Sequence, residues 1–176
     1  MTRAQWADEI NALRQAEASG DRAQAASQRL RLLRLRDAQR EQADYGAMDL
    51  ALMDSLGADL RQLGWPEDAR AAYQAAYDLV SVPSVGYPRI HFACRLVHSH
   101  IDLLDFARAE ELLAQAVLGT LSPLNPATPV LAELCAAVQP IDAALEPEVC
   151  YALGRLWAAQ GHLQSAKTCL QEAATW

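Results

Sequence analysis

The stretch LGADLRQLGWPEDARAAYQAAYD, residues 56–78, decides the fold, because its pattern returns at residues 153–175 as LGRLWAAQGHLQSAKTCLQEAAT. Both stretches begin with a Leu-Gly pair, continue to a second glycine, and then place small and large apolar residues at the same offsets. In the first stretch the key positions are Gly57, Gly64, Ala69 and Tyr73. Their counterparts in the second stretch are Gly154, Gly161, Ala166 and Leu170.

Each stretch predicts a helical hairpin. A glycine inside the first helix allows the partner helix to approach closely, and the glycine that follows it reverses the chain. The alanine early in the second helix lies at the crossing, and the larger residue one turn later fills the space beside it.

Two further copies are weaker. One contains Leu96, Leu104, Phe106, Ala109, Leu113 and Ala116, with Leu104 where a turn glycine is expected. The other is suggested by Leu13, Gly20 and Ala25. An alanine-rich helical bundle is the alternative explanation, but a bundle gives no reason for matching offsets in distant segments.

The pattern resembles the tetratricopeptide repeat, a helix pair of about 34 residues. The resemblance implies an all-α fold, a right-handed superhelix of antiparallel helical hairpins with about eight or nine helices in one domain over 1–176. Expected segments are hairpins at 2–43, 46–80, 89–118 and 147–175, and an insertion at 120–146. The predicted turns at 20, 64, 104 and 161 are unevenly spaced, as in the looser relatives found in bacterial regulators and adaptors.

Composition limits the classes of function. Hydrophobic residues make up 52% of the chain, and the net charge of −7 disfavours binding to nucleic acid or to an anionic membrane. No run approaches the ~20 apolar residues that cross a bilayer, and the first residues lack the apolar core of a signal peptide. We therefore expect a cytoplasmic protein. The four cysteines form no Cys-x-x-Cys pair and are predicted to be buried apolar residues.

The resemblance also implies a function, a protein-interaction scaffold that binds a peptide or helix of a partner in a concave groove. An adaptor, a secretion-type chaperone and a regulatory domain all fit this description. The first helix of each hairpin would line the groove. The matching positions are Asp54, Ala58, Arg61, His91, Cys94, His98, Asp102, Glu148, Tyr151 and Arg155.

Two alternatives remain open at this point. His91, Cys94 and His98 share one helical face with Asp102 and could form a metal sensor or an enzyme site. The row extends over about 16 Å, too far for one ion to bind all four, and nothing identifies an oxyanion donor for a Cys94–His98 nucleophile. We therefore expect no catalysis, no metal and no cofactor. The second alternative is a self-associating structural subunit, which leaves a homo-oligomer open.

We assign structural roles to the other conspicuous residues. The arginine-rich run from Arg29 to Arg40 predicts a helix whose guanidinium groups reach solvent or pair with Asp37 and Glu41. Trp65, beside a turn, and Trp157, at a packing position, are predicted to belong to the core.

Overall fold

The computed structural model describes residues 3–37, 47–80, 87–119, 124–126 and 130–175. Within those ranges the chain is all-α, with nine helices and no strand. The helices are α1 (Arg3–Ser19), α2 (Arg22–Asp37), α3 (Ala47–Gln62), α4 (Pro66–Val80), α5 (Tyr87–Asp102), α6 (Phe106–Leu118), α7 (Val130–Val138), α8 (Leu145–Ala159) and α9 (Leu163–Ala173). None of these described helices is both long and apolar enough to span a bilayer.

The predicted all-α class with a TPR-like arrangement of helices is confirmed. Helix α8 begins at Leu145 although residue 147 was the predicted start. Pro147 lies in the first turn, where its missing N–H removes no intrahelical hydrogen bond, so the helix can begin before it. Parts of the predicted hairpins, of the loop between them and of the insertion lie outside the described residues, namely residues 2, 38–46, 81–86, 120–123 and 127–129.

Four turns with the same hydrogen bonds define the repeat. Their central residues all have positive φ: Gly20 (73°), Gly64 (80°), Leu104 (60°) and Gly161 (85°). In the second turn the N–H of Trp65 donates to the carbonyl of Leu60, and the N–H of Gly64 donates to that of Arg61. Equivalent bonds close the other three turns, so each hairpin's first helix ends in a Schellman motif. The two weaker sequence copies therefore have the same turn as the two strong ones.

The chain divides into two compact units, residues 1–79 and 80–176, and the predicted single domain stays a prediction. In the first unit, α1 pairs with α2 and α2 packs on α3. Helices α3 and α4 cross at Gly57, where an added Cβ would lie 2.8 Å from Cδ1 of Tyr73 and closer still to other ring atoms. Ala69 and Tyr73 are buried at this crossing.

The second unit contains the hairpins α5–α6 and α8–α9, and α5 packs on α8. At the α8–α9 crossing, a Cβ on Gly154 would lie 2.8 Å from Cγ of Leu170. Helix α7 falls inside the predicted 120–146 insertion and packs against α6 and α8 with its apolar stripe Val130, Leu134 and Val138. The insertion thus contributes a helix to the core of this unit.

Candidate functional site

The predicted binding residues of α5 and α8 contact one another within the second unit. Nδ1 of His91 lies 2.8 Å from a carboxylate oxygen of Glu148. Farther along the same two helices, Nη2 of Arg155 donates to Oδ1 of Asp102 at 2.8 Å. The resemblance to the repeat family implied that these four residues line a groove, and the structure brings them together as two cross-helix pairs.

The centre of the same helix pair is apolar and aromatic. The rings of His98 and Tyr151 meet edge to face, with their centroids 5.2 Å apart. His98 and Cys94 are buried, whereas Tyr151 stays 48% exposed. Tyr151 and Glu148 also border a shallow depression whose other wall is formed by Leu170 and Ala173 of α9.

The two cross-helix pairs limit how the predicted binding face can contact a ligand. The charged groups of α5 and α8 already have partners inside the chain, so a ligand would have to compete with Glu148 for His91 and with Asp102 for Arg155. The side chains of both pairs are only 12–30% exposed, so a ligand that breaks either pair leaves a partly buried charged partner behind, which opposes competition. Tyr151 is the residue of this face whose aromatic ring is exposed and can contact a ligand.

Neither a metal site nor a Cys94 nucleophile gains support from the described residues. Among the described residues, no three His, Cys, Asp or Glu side chains are arranged to hold a metal ion. Burial, reinforced by the charge of Glu148, raises the pKa of the Cys94 thiol far above its ordinary value. Because the thiolate is the reactive form, a buried thiol of this kind is a poor nucleophile and a poor metal ligand.

The remaining predicted residues, Asp54, Ala58 and Arg61, lie on α3 in the first unit. All three are half-buried. They stay predicted binding residues.

A concave apolar surface of the first unit was not predicted. A groove of about 590 Å³ runs between α2 and α4, with α3 beneath it. Its lining is apolar except for Ser27, Arg34 and Asp68. The apolar lining residues are Ala23, Ala26, Leu30, Leu33, Met53, Leu56, Leu60, Trp65, Ala71, Ala72 and Ala75.

Two large apolar side chains of this groove are open to solvent. Trp65 is 50% exposed and Leu30 is 40% exposed. The prediction that Trp65 belongs to the core is therefore wrong, whereas Trp157 is buried as predicted. Trp65 directly follows the left-handed Gly64 of the turn and precedes Pro66 of α4, and this position leaves its ring along the side of the groove.

A buried charge cluster lies in the same unit and was also missed. Arg29 is buried and pairs with Glu17 of α1 at 2.6 Å and with Asp59 of α3. Burial raises the pKa of the Asp59 carboxyl, and the nearby Arg29 charge opposes that rise. The predicted partners Asp37 and Glu41 have side chains outside the described part of the chain. Arg29 thus links three helices.

Comparison with known proteins identifies the fold. The chain is similar to the crystal structure of a Podosopora anserina protein described as a kinesin light chain with nearly identical TPR-like repeats. The TM-score is 0.52 at 16% identity, over 97% of this chain and 94% of that one. A single-substitution variant of that protein gives a TM-score of 0.53 at 15% identity, over 99% and 96% of the two chains. No protein-family model and no curated protein matches the sequence.

At this level of identity the likeness establishes the fold. The described helices have the TPR-like repeat architecture that the resemblance implied, with the hairpin crossings at Gly57 and Gly154. Proteins with this fold are typically interaction scaffolds.

Proposed function

We propose that this chain is a protein-interaction scaffold that binds an amphipathic helix of a partner protein in the groove between α2 and α4. The observation that carries the proposal is the open apolar lining, with Trp65 and Leu30 half exposed above a floor of α3 side chains. An apolar concavity that none of the described residues of its unit fills is a typical protein-binding surface. Exposed tryptophan is also among the residues that contribute most to such interfaces.

The chemistry of the groove favours a helix over an extended peptide. An extended peptide carries free backbone N–H and C=O groups, which need partners when they are buried. The groove is lined by three helices whose own backbone groups are bonded internally, and it offers few polar side chains. A helix satisfies its own backbone and can present apolar residues one turn apart, so a helix fits this lining better.

The length of the groove and its charged residues restrict which helices can bind in it. The lining residues of α2 extend from Ala23 to Arg34, which at 1.5 Å per residue corresponds to about 16 Å, or three helical turns. Arg34 and Asp68 are the two charged residues of the lining. We therefore expect an occupant with apolar residues at i, i+3 or i+4, and i+7, an acid that can pair with Arg34 and a base that can pair with Asp68.

The predicted face of α5 and α8 is proposed as a second contact of the same scaffold, centred on Tyr151. Its support is the exposed phenol ring beside the depression formed with Leu170. Because proteins of the TPR-like fold are typically interaction scaffolds, we assign the chain no catalytic role, and we propose a cytoplasmic location. An adaptor or chaperone-like function follows from binding a helix, and either would use this groove.

A displayed library of helical peptides, selected on the purified protein, tests the proposal. Peptides that bind should show the apolar spacing given above and should lose binding to the variant Leu30→Glu. The matched control is Leu163→Glu, which alters an exposed leucine of the second unit, 70% accessible, and should leave binding unchanged.

Selection of peptides that bind wild type and Leu30→Glu equally would refute the groove as the site. Light scattering on the same variants checks the remaining alternative. If the wild-type protein forms oligomers and the Leu30→Glu variant is monomeric, the occupant of the groove is a second copy of this chain.

A further inference from the structure

Two thiols from neighbouring helices approach each other in the second unit. Cys135 lies on α7 and Cys150 on α8, and their Sγ atoms are 3.5 Å apart. Both are free, Cys135 is half-buried, and Cys150 is fully buried. The sequence places them 15 residues apart, and they were predicted to be unrelated apolar residues.

The packing of α7 explains why they meet. Leu134 and Val138 are buried and hold α7 against its neighbours in this unit. Cys135 follows Leu134 and lies at the edge of the buried stripe, which leaves it partly accessible. Val149 and Cys150 of α8 are both fully buried. The two sulfur atoms therefore lie 3.5 Å apart at the margin of the core, and Cys135 is the partly exposed residue of the pair.

We propose that Cys135 and Cys150 are an oxidisable dithiol, a modification site that hydrogen peroxide converts to a disulfide linking α7 to α8. A disulfide bond is about 2.05 Å long, so the sulfur atoms must approach by about 1.5 Å more. Rotation of the two short side chains can supply a movement of that size. The pair lies in the second unit and does not depend on the groove of the first.

The reaction balances in two steps. The sulfur of Cys135 attacks one oxygen of the peroxide, the O–O bond breaks, and the departing hydroxide takes the thiol proton as water, leaving a sulfenic acid. The sulfur of Cys150 then attacks the sulfur of Cys135, the S–O bond breaks, and the second hydroxide leaves with the Cys150 proton. Two thiols and one peroxide thus give one disulfide and two waters.

The order of the steps follows from access. Cys94, Cys150 and Cys169 are buried, so peroxide meets Cys135 first. Burial raises the pKa of the Cys135 thiol, which slows the first step. Burial also raises the pKa of the Cys150 thiol far above its ordinary value, which slows its ionisation. Its sulfur is held beside the reacting sulfur, and this proximity compensates in the second step.

The test treats the folded, reduced protein with hydrogen peroxide and follows it by intact mass and by non-reducing peptide mapping. The expected product has lost two hydrogen atoms and contains one linked peptide, Cys135 to Cys150. Closure of a loop of 15 residues should raise Tm by about 5–10 °C, and a reductant should reverse the rise.

Three variants make the result decisive. Cys135→Ser and Cys150→Ala should each abolish the linked peptide and the rise in Tm, whereas Cys94→Ser should keep both. Cys135→Ser alters a partly exposed position and should fold, so it remains informative if Cys150→Ala does not. The proposal is overturned if peroxide adds oxygen atoms to the protein without forming a linked peptide, or if the linked peptide contains Cys169 in place of either partner. It is also overturned if the Cys135→Ser variant still shows the rise in Tm.

Discussion

Replacing Gly57 with alanine is the substitution whose effect the structure determines most closely. Its Cβ would overlap the ring of Tyr73, whose Cδ1 atom would be 2.8 Å away, and that ring is buried. Overpacking of this kind costs about 1–3 kcal/mol, and a rigid ring in hard contact belongs in the upper half of that range. Alanine recovers about 1 kcal/mol through helix propensity. The net loss of stability should be about 1–2 kcal/mol.

The second unit provides a natural control for this reasoning. At the equivalent crossing, Gly154 faces Leu170, a flexible and only half-buried side chain. Gly154→Ala should therefore cost less than Gly57→Ala. Placing leucine at the equivalent position of the first unit, as Tyr73→Leu, should reduce the cost of Gly57→Ala, because the smaller side chain can move away from the new methyl group.

Urea unfolding followed by circular dichroism measures these differences as a double-mutant cycle. The double variant should be more stable than the sum of the two single effects predicts, which is a favourable coupling energy between Gly57→Ala and Tyr73→Leu. If Gly57→Ala is as stable as wild type, or more stable through helix propensity alone, then Gly57 does not lie at a helix crossing and the hairpin geometry is wrong.

Three other predictions follow from individual residues. Leu104→Gly should stabilise the protein by about 0.5–1 kcal/mol in thermal unfolding, because a 75% exposed leucine at φ 60° is strained and buries little; Gly64→Leu should have the opposite sign. Arg29→Met should cost about 2–4 kcal/mol in urea unfolding, because it leaves the Asp59 carboxylate without its counter-charge, and adding Asp59→Asn should recover part of the loss. Burial raises the pKa of the Cys169 thiol to about 11, so this thiol stays protonated in the folded state while the unfolded chain ionises near pH 8.5. Stability should therefore fall as pH rises from about 8.5 towards 11, by up to about 1.4 kcal/mol per pH unit for each buried thiol, and a flat profile would contradict this.

The repeated hairpins could be read from the sequence because their determinants are local. Gly57 and Gly64 fix a crossing and a turn within seven residues of each other, and the same spacing recurs at Gly154. Leu104 was recognised only by its position in the pattern, and the structure shows that its backbone adopts the glycine-like conformation of the other turns.

The site could be predicted only in part, because its determinants are tertiary. The resemblance assigned His91 and Glu148 to the same groove, but nothing in the sequence showed that the two side chains would pair with each other. The apolar residues of α2 looked like ordinary core residues. Whether Leu30 and Trp65 are covered depends on the width of the gap between α2 and α4, which no local pattern encodes.

Nuclear Overhauser contacts at the two glycine crossings test the central claim most directly. If antiparallel helices meet there, the α-protons of Gly57 should show cross-peaks to the ring of Tyr73, and those of Gly154 to the methyl groups of Leu170. Both amides should also exchange slowly with solvent. Absence of both sets of cross-peaks, together with rapid exchange at the two glycines, would contradict the account.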